Sequence, residues 1–208
     1  MLNIIHYAIA MEKSRPVYAK PFSAETLKEE WVIKSGEWYV KDDTLIGKSA
    51  PDAGGMIFSK AEYKHDIVME FTASNEKPST HDLDFMWHAI WDEEQKQRGS
   101  AYVVGINGWW ENKVGFEKAP DNVLYAATDL FTVNPEEYYK IHAGTIKGIC
   151  FLFINGRLII EMRDPDPIDY NKSPFVGFET FQSIIKVKDL KIYEPYVLKR
   201  NLSYKEEY

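Results

Sequence analysis

The stretch Ile149-Cys-Phe-Leu-Phe-Ile-Asn155-Gly156-Arg-Leu-Ile-Ile-Glu-Met-Arg163 contains the clearest fold signal in the chain. It holds two apolar, β-branched runs that are joined by only Asn155 and Gly156. A two-residue loop between antiparallel strands favours positive φ at both central positions, and Asn-Gly adopts that conformation readily. The stretch therefore predicts a β-hairpin with strands at Ile149–Ile154 and Arg157–Arg163.

The two-residue period of this hairpin continues along most of the chain beyond residue 30. Short β-branched and aromatic runs separated by turn residues predict twelve strands between residues 37 and 193. A helix is predicted only at residues 23–30, with Ser23 as its N-cap. Residues 74–80 and 119–134 are polar and are predicted to be loops, the second long enough to act as a lid or wall. The pattern predicts an all-β fold, a two-sheet antiparallel jelly-roll sandwich.

The composition is that of a globular chain and excludes several classes of protein. The 208 residues are 45% hydrophobic and 27% charged, which predicts one domain over residues 1–208 with a solvated tail at 199–208. The net charge of -7, with no basic cluster, argues against a nucleic-acid partner. No apolar run reaches the ~18 residues of a membrane span. The N-terminus lacks a basic start and a clear cleavage site, which predicts a cytoplasmic location.

The cysteine and aromatic content narrows the chemistry. Cys150 is the single cysteine and lies inside the apolar run of the hairpin, which predicts a buried, unreactive thiol. Aromatic residues make up 14% of the chain. Such a content is typical of proteins that pack their sheets with aromatic rings or stack flat-faced ligands on them.

Six stretches share turn glycines and core aromatic residues. The first is Trp31-Val-Ile-Lys-Ser-Gly36-Glu-Trp38, and the others are residues 42–47, 54–71, 139–142, 153–158 and 176–178. Together they resemble the concanavalin A-like jelly rolls of bacterial carbohydrate metabolism, especially the 3-keto-disaccharide hydrolase domain and related uncharacterised carbohydrate-cluster proteins. The resemblance implies a saccharide site on the concave sheet and a hydrolase that acts on an oxidised sugar.

One branch of this fold, the laminarinase-like enzymes, carries a catalytic strand with Glu, any residue, Asp, two further residues and Glu. The related stretch here is Asp82-Leu-Asp84-Phe-Met-Trp-His88, and it has neither glutamate. The resemblance therefore does not extend to a simple retaining glycosidase mechanism.

The strand that contains Asp84 sends two sets of side chains to opposite faces. One set is apolar and predicts the core face: Leu83, Phe85, Trp87, Ala89 and Trp91. The other set is Asp82, Asp84, Met86, His88 and Asp92. The α-carbons of Asp82 and Asp84 are expected about 6.6 Å apart, and such carboxyl groups divide into one acid and one charged partner. We predict that Asp82 or Asp84 works with His88 as acid and base, the alternative being polar side chains that face water.

The next strands predict the rest of a binding groove. Asn107 would offer paired donors and acceptors, and Trp109 a flat face for a sugar ring. Lys113 and Glu117 continue the same parity and are predicted to contact the ligand. Trp110 is a second candidate for stacking, with core packing as the alternative for both tryptophans.

A late strand adds one further candidate for the site, Glu179. In Phe175-Val-Gly-Phe-Glu-Thr-Phe181, alternation turns Val176 and Phe178 toward the core and Glu179 toward the groove. We predict that Glu179 belongs to the catalytic site and orients hydroxyl groups. His142 also alternates with apolar residues, and its imidazole is predicted to lie at the surface.

These residues together predict a carbohydrate-active protein, a glycoside hydrolase with a saccharide ligand, or a lyase. The alternative is a non-catalytic carbohydrate-binding module or a structural partner domain in a homo-oligomer. No cofactor is predicted. A structural calcium ion on Asp164, Asp166 and Asp169 is the one metal site considered, but the intervening prolines and missing glycine favour a turn.

Overall fold

Two antiparallel sheets packed face to face form the body of the protein in the computed structural model, which describes residues 1–49, 54–108 and 112–201. The front sheet has the spatial order Val123–Thr128 (β14), Val114–Ala119 (β13), Ala101–Ile106 (β12), Leu83–Ala89 (β9), Phe175–Phe181 (β18), Gly54–Ser59 (β7) and Trp31–Ser35 (β4). The back sheet has the order Arg157–Arg163 (β17), Ile149–Ile154 (β16), Tyr139–Ile146 (β15), Ile67–Asn75 (β8), Ile184–Glu194 (β19), Thr44–Lys48 (β6) and Glu37–Lys41 (β5), and Arg15–Tyr18 (β3) also pairs with β19. The predicted two-sheet jelly roll is confirmed.

The remaining elements are short. Ala24–Glu30 (α1) is the α-helix of the described residues, and the Ser23 hydroxyl accepts a hydrogen bond from the Thr26 amide at 3.0 Å, as an N-cap does. Leu2–Asn3 (β1), Tyr7–Ile9 (β2) and Val197–Lys199 (β20) form a small third sheet, with a 3₁₀ turn at Met11–Lys13 after β2. Trp91–Asp92 (β10) and Gln97–Arg98 (β11) form a hairpin, which we call the Arg98 hairpin.

The hairpin predicted at Asn155-Gly156 is confirmed. Ile154 pairs with Arg157, and the two turn residues have φ of 50° and 80°. Both values lie in the left-handed region that a type I′ turn requires, and glycine adopts it without steric cost. The quoted stretch therefore forms the edge of the back sheet.

The core lies between the two sheets and is built from alternate residues of the central strands. Phe71 of the back sheet contacts Phe85 and Phe178 of the front sheet, with ring centroids 5.0 Å and 5.4 Å apart. The Trp87 indole donates a hydrogen bond to the Thr145 hydroxyl at 2.6 Å. Alternation therefore placed Phe85, Trp87 and Phe178 on the correct face.

Alternation failed beyond Trp87. Ala89 and Trp91, predicted to be core residues, instead join an apolar cluster on the outer face of the front sheet. The reason is an extra residue in β9, since Phe175 pairs with Ala89 but Gly177 pairs with Met86. His88 has a φ of 44° at this irregularity, and a bulge of this kind reverses the faces of all later residues.

Three further predictions concern the loop at 119–134, the tail at 199–208 and Cys150. The predicted loop at 119–134 contains strand β14, an edge strand whose side chains are largely exposed. The predicted tail begins inside strand β20, and residues 202–208 lie outside the described part of the chain. Cys150 is fully buried, and burial raises the pKa of its thiol to about 12. In the described ranges, no helix is long and apolar enough to cross a membrane.

Candidate active site

A cavity of about 430 Å³ lies on the outer face of the front sheet. Its wall combines carboxyl groups, two glycines and one arginine. The charged lining residues are Asp82, Asp84, Arg98, Glu117 and Glu179, and Asn122 also lines the cavity. We call this the groove site.

The strand register explains why these side chains meet. Asp84 of β9 lies opposite Gly105 of β12 on one side and opposite Glu179 of β18 on the other. Glu179 in turn lies opposite Met56 of β7. Residues directly opposite each other on antiparallel strands point to the same face. One row across the sheet therefore brings two carboxyl groups side by side, with a glycine next to them that leaves room for a ligand.

The Asp84 carboxyl group is buried among other acids, and the charge of Arg98 offsets only part of this effect on its pKa. Asp84 is 8% exposed, and its Oδ1 atom has no hydrogen-bond partner among the described residues. Burial raises the pKa of Asp84 well above its ordinary value, and the charges of Asp82 and Glu179 raise it further. Asp84 therefore keeps its proton to a higher pH than an ordinary aspartate does.

Asp82 is the charged neighbour of this group. Burial raises the pKa of Asp82 to about 6, although His81, whose Nε2 lies 3.6 Å from the Asp82 carboxylate, acts in the opposite direction. Both carboxyl groups therefore have raised pKa values, and burial and like charges act most strongly on Asp84. The division into an acid and a charged partner stays a prediction.

Arg98 joins two further carboxylates of the groove site. Its guanidinium donates hydrogen bonds to Glu179 and to Glu117, the latter at 2.5 Å, and to the Asn122 side-chain oxygen at 2.9 Å. Its Nε atom is buried without a partner among the described residues. Burial raises the pKa of Glu179, and Arg98 offsets part of this effect. Arg98 therefore fixes Glu117 and Glu179 in place, whereas Oδ1 of Asp84 has no hydrogen-bond partner among the described residues.

Four of the predicted site residues are brought together by the structure: Asp82, Asp84, Glu117 and Glu179. Strands β9 and β12 are neighbours, as the groove prediction required. Phe181 also lines the cavity beside Glu179. The placement of these residues agrees with the alternation, whereas their roles stay predictions.

His88 is not placed at the groove site, and its predicted position is wrong. Its ring lies 6.1 Å from the core residue Tyr102 and 5.6 Å from Tyr170, and its Nε2 lies 3.4 Å from the His65 carbonyl oxygen. The bulge in β9 turns both Trp87 and His88 toward the core side. Burial lowers the pKa of His88 to about 4, so the imidazole is neutral at neutral pH.

Asn107 also differs from its prediction. It has a φ of 57° at the end of β12, and its side-chain oxygen accepts a hydrogen bond from the Val133 amide at 2.9 Å. Asn107 therefore anchors the loop before β15 instead of facing the groove. Lys113 is half-buried just before β13 and is not among the described residues that line the cavity. Trp109 and Trp110 lie outside the described residues.

His142 was expected at the surface and is instead buried on the outer face of the back sheet. Its Nε2 lies 2.8 Å from Oε2 of Glu70. Lys140 lies 3.3 Å and Lys191 lies 3.8 Å from the same carboxylate. Burial by itself would raise the pKa of Glu70, but His142 and Lys140 together hold it below its ordinary value.

Sequence reasoning missed Arg98, the most connected residue of the groove site. Its strand has only two residues, too short for a recognisable period. A usable signal was the acidic turn before it, where the Asp92 carboxylate accepts hydrogen bonds from the Glu94 and Gln95 amides. Such an Asx turn predicts a hairpin, and a hairpin would have returned Arg98 toward β9.

The aspartates considered for calcium have other partners in the structure. The Asp164 carboxylate accepts hydrogen bonds from the Tyr102 hydroxyl at 2.7 Å and from the Asp166 amide at 2.9 Å, and pairs with Lys118 at 2.8 Å. These contacts form a turn closed by an ion pair. No group of three or more acidic, histidine or cysteine side chains suited to a metal ion occurs within residues 1–49, 54–108 and 112–201.

Comparison with solved structures identifies the fold. No protein-family model matches the chain, and no curated protein matches its sequence. A Bacillus subtilis protein with a galectin-like fold superposes with a TM-score of 0.70 at 14% identity, over 91% of this chain and 98% of that one. The carbohydrate-binding module CBM66 from Bacillus subtilis gives 0.63 at 15% identity, over 79% and 96%.

A third structure is a prokaryotic β-1,3-1,4-glucanase, a lichenase derived from a mouse hindgut metagenome. It superposes with a TM-score of 0.55 at 9% identity, over 86% of this chain and 99% of that one. The chain therefore has the concanavalin A-like, galectin-like β-sandwich fold. Identities this low establish the architecture only.

Proposed function

We propose that the protein binds a saccharide at the groove site and hydrolyses a glycosidic bond there. The observation that carries the proposal is the buried Asp84 carboxyl group, whose Oδ1 atom has no hydrogen-bond partner among the described residues and which lies beside Asp82. A buried group whose pKa is shifted by burial and by like charges, inside a cavity, is typical of catalytic sites. The fold supports a saccharide ligand, since a carbohydrate-binding module and a glucanase share it.

The two aspartates divide the chemistry between them. Protonated Asp84 donates its proton to the glycosidic oxygen as the bond from that oxygen to the anomeric carbon breaks. A water molecule forms the new bond to the anomeric carbon, and ionised Asp82 accepts the proton that the water loses. Asp82 ends protonated and Asp84 ionised, and exchange of one proton through solvent restores the starting state.

Glu117, Glu179 and Arg98 form the binding part of the groove site. The two carboxylates accept hydrogen bonds from sugar hydroxyl groups with the oxygen atoms that Arg98 leaves free. The guanidinium holds both side chains rigid, which lowers the entropy cost of ordering them around a ligand.

A binding module without catalysis is the second candidate. The ion pairs of Arg98 with Glu117 and Glu179 favour it, because a rigid platform of hydrogen-bonding groups is sufficient to hold a saccharide. The two candidates differ in what Asp84 does. In a binding module Asp84 contributes a hydrogen bond, whereas in a hydrolase it supplies the proton.

The test is a microarray of defined plant, fungal and bacterial glycans, followed by product analysis of every glycan that binds. Binding without any product in the wild-type protein would favour the binding module. Hydrolysis that is lost in Asp84→Asn while binding is retained would support the acid role. Absence of binding to every glycan would contradict the proposed function.

A further inference from the structure

The outer face of the front sheet is divided into two halves. The first half is the groove site. The second half is an apolar cluster formed by Phe58, Met86, Ala89, Ala101, Val103 and Ala119, against which Trp91 and Phe175 pack. Val103 lies at the border, because it belongs to the cluster and also lines the cavity, and the other members of the cluster fill the second half with side chains.

The Arg98 hairpin forms the boundary between the halves. Arg98 reaches Glu117 on β13 and Glu179 on β18, and strands β12 and β9 lie between these two. The guanidinium therefore spans four neighbouring strands of the front sheet. Its side chain is 11% exposed, so it lies under cover and not free in solution.

The hairpin is attached to the sheet at its other end as well. The Trp91 ring lies 6.1 Å from the ring of Phe58 on β7, and the Lys34 ammonium lies 5.9 Å from the Trp91 ring centroid. Lys34 also pairs with Glu93 in the hairpin turn. Contacts to β4, β7, β13 and β18 hold the hairpin across the sheet, so it acts as a fixed wall.

We infer that the Arg98 hairpin closes one end of the groove, so that the site takes the terminal units of a saccharide and not an internal stretch of a polysaccharide. The inference rests on the proposed function. A groove closed at one end admits a chain only by its end, and a cavity of about 430 Å³ is at the small end of ligand pockets, with room for about one or two sugar rings. Arg98 is then a determinant of specificity.

The first experiment uses the wild-type protein. Laminari-, cello-, manno- and galacto-oligosaccharides from the monosaccharide to the hexasaccharide are measured by isothermal titration calorimetry. The affinity is expected to reach a plateau at the disaccharide and to change by less than about twofold beyond it. Affinity that keeps rising to the hexasaccharide would overturn the inference and leave the proposed function intact.

A second arm blocks the ends of the chain. Each binding oligosaccharide is labelled with a bulky fluorophore at its reducing end or at its non-reducing end. One label is expected to abolish binding and the other to leave it unchanged. Binding that tolerates both labels would show an open cleft and contradict the inference, whereas failure of every unlabelled sugar to bind would contradict the proposed function itself.

The third arm of the experiment replaces Arg98, the residue inferred to close the groove. Arg98→Ala is expected to create a length dependence, with the hexasaccharide binding at least about fivefold more tightly than the disaccharide. Arg15→Ala is the control, because Arg15 is exposed and pairs with Glu194 on the back sheet. If the affinity of folded Arg98→Ala still reaches its plateau at the disaccharide, Arg98 does not close the groove. If this variant does not fold, the labelled sugars on the wild-type protein still decide.

Discussion

Asp84 on the front sheet and Glu70 on the back sheet are carboxyl groups on the central strand of each sheet, yet their surroundings differ. Asp84 is buried and Glu70 is half-buried. Glu70 has His142, Lys140 and Lys191 within 3.8 Å. Asp84 has an oxygen atom without a partner among the described residues, and two further acids beside it. The pKa of Glu70 is held below its ordinary value, and burial and like charges raise that of Asp84.

The difference separates a stabilising acid from one that costs stability. A paired carboxylate contributes to folding, whereas a buried unpaired group lowers stability by its desolvation. The sheet that bears Glu70 shows that this fold can satisfy a half-buried acid with nearby lysines and a histidine. The unsatisfied Asp84 is therefore the feature that we connect with function, and substitutions at the two positions should have opposite effects.

The largest expected effect is on catalysis at Asp84. Asp84→Asn removes the proton donor while keeping the size of the side chain, so turnover of a confirmed substrate should fall at least ~100-fold. The melting temperature at neutral pH should stay the same or rise, because the amide does not have to take up a proton on folding, as a carboxyl group with a raised pKa does. Steady-state kinetics and thermal melts measure both quantities.

Glu70→Gln is the matched control for this variant. It exchanges the same two chemical groups on the opposite sheet, and turnover should remain within about twofold of the wild type. Equal losses of turnover in the two variants would mean that the effect passes through stability, and Asp84 would lose its assigned role.

How far Asp84 and Glu179 could be recognised from the sequence depends on the regularity of their strands. The alternation around Leu83, Phe85 and Phe178 was regular, so the faces of Asp84 and Glu179 followed by counting. His88 was misplaced because one extra residue in β9 reversed the pattern, and sequence alone does not mark such a bulge. The two-sheet fold was predictable for the same reason as the face of Asp84. The twelve predicted strands share one two-residue alternation of side chains.

The partners of these acids were not predictable in the same way. Arg98 lies 81 residues from Glu179 in the chain, and their contact exists only because the hairpin crosses the sheet. His142 and Glu70 pair across β15 and β8, which join segments far apart in sequence. Charge compensation is a property of the folded chain, so the sequence placed the carboxyl groups and could not say which of them was paired.

The second prediction concerns stability on the back sheet. Nδ1 of His142 has no partner among the described residues, and burial lowers the pKa of this imidazole, so it is neutral and donates to Glu70 through Nε2. His142→Ala should lower the free energy of unfolding by about 1–3 kcal/mol, because it removes a donor from a buried carboxylate. Urea denaturation measures this change.

The saccharide affinity of His142→Ala should match that of the wild type, since the substitution lies on the sheet opposite the groove site. Its control is Lys140→Ala, which removes an exposed partner of the same carboxylate and should cost less than about 1 kcal/mol. A stability loss in Lys140→Ala as large as that in His142→Ala would show that charge, and not the buried hydrogen bond, stabilises Glu70.

The third prediction is a pH dependence of opposite sign on the two sheets. The pKa of Asp82 is raised to about 6 in the folded protein, from an ordinary value of 3.8. The stability associated with its neutral form is therefore present below about pH 4 and is lost as the pH rises through about 6. Asp82→Asn should gain stability relative to the wild type over this window, by about 1 kcal/mol after screening by solvent.

Glu70 gives the opposite slope. Its pKa is lowered on folding, so its contribution is present above the unfolded value of 4.5 and is lost as the pH falls through the folded value. Glu70→Gln should therefore lose most stability at neutral pH and little under acid conditions. Urea denaturation of both variants from about pH 2 to pH 8 measures the two slopes, and parallel curves would contradict the assignment.

The smallest effect is expected at Gly54, which lines the groove site beside Glu179. A Cβ atom at this position would lie 3.5 Å from the Thr180 carbonyl oxygen, 3.7 Å from Oε1 of Glu179 and 3.7 Å from Cε of Met56, which are ordinary contacts. Gly54→Ala should therefore fold with a melting temperature close to that of the wild type. The added methyl group occupies space next to Glu179, so saccharide affinity should fall by about two- to fivefold.

Gly156→Ala is the control for this variant and should behave in the reverse manner. Gly156 has a φ of 80°, which strains any residue with a Cβ atom, but the new atom would meet nothing within 4 Å. The free energy of unfolding should fall by about 1 kcal/mol while the saccharide affinity is unchanged. If Gly54→Ala instead binds as tightly as the wild type, the ligand does not approach Glu179, and the binding part of the groove site must lie on the Asp82 side alone.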